Sequence, residues 1–107
     1  EKERRRTSFL EREALLLGTV SRLNYLRGVK EALNAKRRSI LSTIDRIGVE
    51  ISSGRKSADA LLILRSRIDE LDISIDETTR NMESLSAEIE KLTGMRVKGF
   101  VRLSKAG

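Results

Sequence analysis

The sequence predicts an all-α fold, an antiparallel coiled-coil hairpin of two long helices. Three observations lead there: apolar residues recur at heptad spacing in two separate runs, the segment between the runs is built of turn residues, and the two runs carry opposite net charge. Helix-favouring residues dominate. The 107 residues are 38% apolar and 36% charged, with no Pro, Cys, His or Trp, one Tyr and two Phe. A compact domain usually carries more large aromatic anchors, whereas regularly spaced Leu and Ile among charged residues mark a coiled coil rather than a disordered chain.

Residues 1–7 are mostly charged and are expected to fray. The first helix is placed at 8–51. With Phe9, Leu16, Leu23, Lys30, Arg37, Ile44 and Ile51 at heptad position a, position d falls on Arg12, Thr19, Leu26, Leu33, Ile40 and Ile47. Nine of these thirteen are apolar, a sustained but interrupted seam. Gly18, Gly28 and Gly48 interrupt the run. Each costs about 1 kcal/mol against Ala inside a helix, and a bend is expected near Gly18 or Gly28.

The turn is placed at 52–57, Ser-Ser-Gly-Arg-Lys-Ser. The second seam begins three residues out of phase with the first, an offset that one continuous coiled coil could absorb as a stammer. Two serines, a glycine and Ser57 as a helix N-cap are turn chemistry, and six residues suffice to join antiparallel helices.

The second helix is placed at 58–92. Leu61, Ile68, Ile75, Met82 and Ile89 occupy a; Leu64, Leu71, Thr78, Leu85 and Leu92 occupy d. Only Thr78 departs from apolar. Asp59 suits the positive end of the helix dipole, and Gly94 is the expected C-cap. In the tail, residues 93–107, Val97, Gly99, Val101 and Leu103 alternate with Lys98, Phe100 and Arg102. That strand-like period points to a basic extension or the opening of a following β domain.

Charge separates the arms. Residues 1–51 hold 12 basic and 7 acidic side chains, net +5; residues 58–92 hold 4 basic and 9 acidic, net −5. Two copies of the second arm side by side would repel, while the first beside the second is complementary. Centring the hairpin on Gly54 gives the layers Ile47–Leu61, Ile44–Leu64, Ile40–Ile68, Leu33–Ile75, Leu26–Met82 and Leu23–Leu85, with Lys30 facing Thr78. A one-heptad slip places Arg37 opposite Thr78 instead, and the sequence leaves both registers open.

Several function classes lose their chemistry here. Without His or Cys there is no disulfide framework, thiolate nucleophile or imidazole ligand, so no enzyme and no metal or other cofactor is expected. Asp69, Asp72 and Asp76 read as a solvated acidic stripe on the outer face of a helix. No glycine-rich loop follows a strand, and no small-molecule substrate site is indicated. No apolar run exceeds five residues, so no transmembrane segment is expected. The chain opens at Glu1 rather than Met, as a segment of a longer protein would. Absent cysteines fit an intracellular, cytoplasmic setting.

Two surfaces remain as candidates. Leu15, Val20, Val29 and Leu41 flank the first seam, and Val49, Leu62 and Ile63 point outward near the turn. A two-helix hairpin buries one stripe, so these residues are candidates for docking a protein partner or a second hairpin, a homodimer completing a four-helix bundle. Arg22, Arg27, Lys30, Lys36, Arg37 and Arg38 form a basic patch. Its first role is to complement the acidic second helix. Its further reading is contact with an acidic surface such as a microtubule, an anionic membrane or a nucleic acid, although stacking aromatics for single strands are missing.

The run "SRLNYLRGVKEALNAKRRSIL", a short polar turn, then "LRSRIDELDISIDETTRNMESLSAEIE" resembles a regulatory stalk hairpin of the kinesin superfamily. The likeness covers about residues 20–92 and rests on heptad rhythm, the basic "KRR" before the turn and the "ID" spacings after it. It implies an antiparallel coiled coil that helps hold a motor inactive, and hence a cytoskeletal location. The tail "KGFVRL" departs from that pattern. A second likeness, to antiparallel fingers that bind Rho-type GTPases, implies an effector module. The expected function is therefore a non-catalytic protein-interaction segment, regulatory or oligomerising, of a larger cytoskeletal or motor-type protein. A GTPase-binding finger and a basic nucleic-acid or membrane-surface binder are the alternatives.

Overall fold

The computed structural model describes the backbone of residues 2–56 and 58–106 and the side chains of 4–56 and 58–94. It is an all-α helical hairpin of two helices, α1 (Lys2–Ser52) and α2 (Asp59–Ala106). The chain falls into two units, a turn-proximal unit Gly28–Arg80 and a distal unit that joins Glu1–Arg27 to Asn81–Gly107.

In the turn-proximal unit, Gly54 is the pivot. Its φ of 75° is the one positive value among the described residues, in the left-handed region that a Cβ disfavours. Arg55 N donates to Glu50 O at 2.8 Å and Gly54 N to Ile51 O at 3.0 Å. This six-to-one, five-to-two pair is the Schellman motif, which satisfies carbonyls that the end of α1 would otherwise leave open. The Ser52 and Ser53 hydroxyls donate to Gly48 O at 3.0 Å and Val49 O at 2.9 Å. Beyond the turn, Ala58 O accepts from Leu61 N and Leu62 N to open α2, with Asp59 in its first turn. The N-cap expected at Ser57 lies outside the described residues.

The core of this unit is the expected seam. Ile47, Ile68, Leu71 and Thr78 are buried, and Leu33, Ile40, Ile44, Ile51, Leu61, Leu64 and Ile75 are half-buried. Thr78 turns its hydroxyl back to Ser74 O at 2.8 Å, so the one polar member of the second seam meets no unsatisfied partner. Register is settled by Arg37, whose Nε donates to Asp72 Oδ1 at 2.7 Å. Centring on Gly54 places Arg37 opposite Leu71, beside Asp72. The slipped register would put Asp72 six residues from Arg37's level, about 9 Å along the axis at the helical rise. The limits of the unit, Gly28 and Arg80, are likewise equidistant from residue 54.

In the distal unit, Leu16, Thr19, Leu23 and Leu85 are buried, and Leu26, Met82, Ile89 and Leu92 are half-buried. Thr19 repeats the solution of Thr78, donating to Leu15 O at 2.8 Å. At the outer end of the α1 seam Phe9 is 43% exposed and Arg12 is exposed.

Both ends of the chain depart from expectation. The N-terminus, expected to fray through residue 7, is helical from Lys2, because Lys, Arg and Glu extend an existing helix at little cost. α1 is unbroken through Gly18, Gly28 and Gly48. Gly94 does not end the second helix at 92, and Val97–Leu103 are not strand-like; α2 continues to Ala106. A C-cap glycine acts through a left-handed φ, which Gly94 lacks. One right-handed glycine costs only about 1 kcal/mol, too little to stop a helix by itself. A lone strand would leave its backbone groups unpaired, and the described residues contain no other strand to pair with.

Candidate interaction surfaces

Helical geometry decides which apolar residues can be shared with a partner. In the turn-proximal unit Val49, Leu62 and Ile63 sit at heptad positions f, b and c, on the side of each helix away from the seam, and are 68%, 64% and 58% exposed. Leu41, at flanking position e, is also exposed, whereas Val29, at position g, is half-buried and belongs partly to the core edge. In the distal unit Leu15 and Val20 are exposed. Six of the seven docking residues expected from the sequence are thus solvent-accessible.

Others were missed. Leu10, Leu17 and Tyr25 in the distal unit and Ile73 in the turn-proximal unit are 59–69% exposed. Leu10 and Leu17, seven residues apart, share position b. Leu62 and Ile73, eleven apart, lie on one face of α2 within about 20° at 100° per residue. These repeats are visible in the sequence once positions outside the seam are searched for period as the seam is. Phe9 escaped notice because its heptad position assigned it to the core.

The basic residues divide between the units. In the distal unit Arg22 and Arg27 are exposed, and Arg27 Nη1 donates to Asn24 Oδ1 at 3.3 Å. In the turn-proximal unit Arg37 is engaged by Asp72, the role of complementing α2. Lys36 and Arg38 remain exposed, Lys30 is half-buried, and none of the three makes an ion pair or side-chain hydrogen bond among the described residues. The acidic stripe is altered in consequence. Asp69 and Asp76 are exposed, but Asp72, at position e, turns toward α1 and is half-buried rather than outward.

At the turn, Lys56 Nζ lies 3.2 Å from Glu50 Oε2. That oxygen is occluded and lacks an aligned hydrogen-bond donor, so Lys56 supplies counter-charge without a directed bond. The pair links the turn to the last turns of α1.

Among the described residues no group of three or more His, Cys, Asp or Glu is placed to hold a metal ion. Among the described residues, a shallow recess is lined by Arg4, Thr7, Ser8 and Glu11 of α1. No helix of the described residues is long and apolar enough to cross a membrane. What the geometry offers is therefore surface: outward apolar side chains on rigid helices, interspersed with charge. No protein-family model, curated protein or solved structure matches this chain.

Proposed function

We propose that the chain is a non-catalytic protein-interaction module, a regulatory or oligomerising hairpin of a larger protein. The observation that carries this reading is the exposure of large apolar side chains at outward helical positions, Val49, Leu62, Ile63 and Ile73 in the turn-proximal unit above all. Single exposed apolar residues are ordinary. Three of them, Leu62, Ile63 and Ile73, share the outer side of α2, where outward positions are normally polar, and gain by being covered. The motor-type or cytoskeletal setting rests on the resemblance of residues 20–92 to kinesin-superfamily stalks.

Sedimentation equilibrium over a wide concentration range tests the module reading, together with binding to candidate partner domains on the intact chain and on Leu62→Glu with Ile63→Glu. The expected outcome is association, with itself or a partner, that the double substitution reduces for any partner docking at the turn. A chain that stays monomeric and binds its candidate partners equally well with and without the substitutions would sink the turn surface. Contact with an acidic surface is the second reading, supported by exposed Lys36 and Arg38. Microtubule co-sedimentation unchanged by Lys36→Glu with Arg38→Glu would remove it.

A further inference from the structure

Positions b, c and f of a coiled-coil helix point away from the seam and normally carry charge. α2 follows that rule near the turn, where five of its nine such positions from Leu62 to Arg80 are charged. α1 in the distal unit does not. Of its nine outward positions from Thr7 to Tyr25 only Glu11 is charged, and all nine are exposed. Leu10, Ala14, Leu17, Gly18, Ser21 and Tyr25 fall within an arc of about 100°, on a face about 27 Å long. Its large side chains, Leu10, Leu17 and Tyr25, are 59%, 67% and 69% exposed. The other side of the same turns belongs to the hairpin, where Leu16, Thr19 and Leu23 are buried.

Cations border the face. Arg6 lies at one edge, and Arg4 and Arg22 lie at the other, which Glu11 shares. The three arginines are exposed, and none makes an ion pair or side-chain hydrogen bond among the described residues. The distal unit, Glu1–Arg27 with Asn81–Gly107, holds 12 basic and 7 acidic side chains, net +5. Gly28–Arg80 holds 10 and 9, net +1.

We propose that this face of α1 binds the surface of an anionic lipid bilayer, with the helix lying in the plane of the headgroups. A helix that does so turns leucine and aromatic side chains to the acyl boundary and basic ones to the headgroups. Leu10 and Leu17 supply the apolar contact, and Tyr25 is of the type that settles at headgroup level. Arginines at both edges reach lipid phosphates while their methylene stems stay on apolar surface. Charge selects this occupant over a second copy. Two copies would bring together two units that each carry five surplus positive charges, whereas an anionic surface neutralises them. The apolar strip selects it over a nucleic acid, whose phosphates are bound through charge. The seam stays closed throughout, because the face points away from α2. The proposal goes beyond the protein-interaction reading and does not depend on it.

The test is flotation of the full chain with vesicles of phosphatidylcholine, alone or with phosphatidylserine, with far-UV circular dichroism confirming helicity of each variant. The chain is expected to float with the anionic vesicles and not with the zwitterionic ones. Leu10→Gln with Leu17→Gln, which keeps charge and helix propensity, should lower partitioning at least about tenfold. Arg6→Gln with Arg22→Gln should lower it by a similar factor, and so should 1 M salt. As a second measurement, the chain has no cysteine, so a polarity-sensitive fluorophore can be placed at Ser21→Cys or Ala87→Cys. The first should shift to the blue on anionic vesicles, and the second, on the outward face of α2, should not.

Equal flotation with zwitterionic vesicles, flotation with neither, or binding that the leucine substitutions leave intact overturns the proposal. Two further results overturn it by naming another occupant. Dimers that Leu10→Gln with Leu17→Gln dissociates, in a chain that does not float, assign the face to a second copy. Retention on a duplex oligonucleotide, without flotation, that only the arginine substitutions weaken assigns its edges to nucleic acid. Each leaves the docking surface at the turn as it stands.

Discussion

The two units use the same heptad pattern and bury it differently. In the turn-proximal unit every seam position described, charged ones included, is at least half-buried: Lys30 and Arg37 are drawn in, Arg37 onto Asp72. In the distal unit Phe9 holds a seam position yet stays 43% exposed, and off the seam Leu10, Leu15, Leu17, Val20 and Tyr25 are exposed. Hydrophobicity alone would order these residues the other way. Near the turn, a short connection closed by a Schellman motif fixes which residue faces which. Heptad position assigns a residue to a face and does not by itself bury it.

The strongest way to break this comparison is to cut a side chain from each unit. Leu71→Ala should cost about 2–4 kcal/mol in urea denaturation, because it empties a closed layer of the turn-proximal core. Leu17→Ala in the distal unit should cost less than about 0.5 kcal/mol. Equal losses would mean that Leu17 is covered in solution, which would place a partner on the distal unit.

Glycines supply the next contrast. Gly54→Ala should lose about 1–2 kcal/mol, since alanine must adopt the left-handed φ of the turn. Gly18→Ala should gain about 1 kcal/mol, as its Cβ would meet open space in a helix interior. A gain at Gly54 would show that the turn is not held by its left-handed residue.

The smallest effect concerns the Arg37–Asp72 pair. A double-mutant cycle with Arg37→Ala and Asp72→Ala should give at most about 1 kcal/mol, because the side chains are 37% and 46% exposed and solvent screens them. The coupling should fade in 1 M salt. No coupling at low salt would leave register to the apolar layers alone.

Much of the fold was legible in the sequence. Among the described residues the eight that are buried are Leu16, Thr19, Leu23, Ile47, Ile68, Leu71, Thr78 and Leu85, and all lie at the heptad positions assigned from spacing. The turn was legible because Ser-Ser-Gly is locally encoded chemistry. The surface was half legible: outward apolar residues near the turn were found, whereas Leu17 and Ile73 were missed because a residue off the seam was judged singly rather than by its repeat.

The sequence by itself determined that there are two amphipathic helices, where they turn and which stripe of each goes inside, since these follow from helical period and local turn preference. Only the tertiary structure decided the register, through one ion pair between residues 35 apart. A heptad pattern repeats every seven residues and is nearly blind to a slip of seven. The continuation of α2 past Gly94 was settled there too. Alternation over seven residues fits a strand only where a second strand can complete its hydrogen bonds, and the helix supplies those bonds from within.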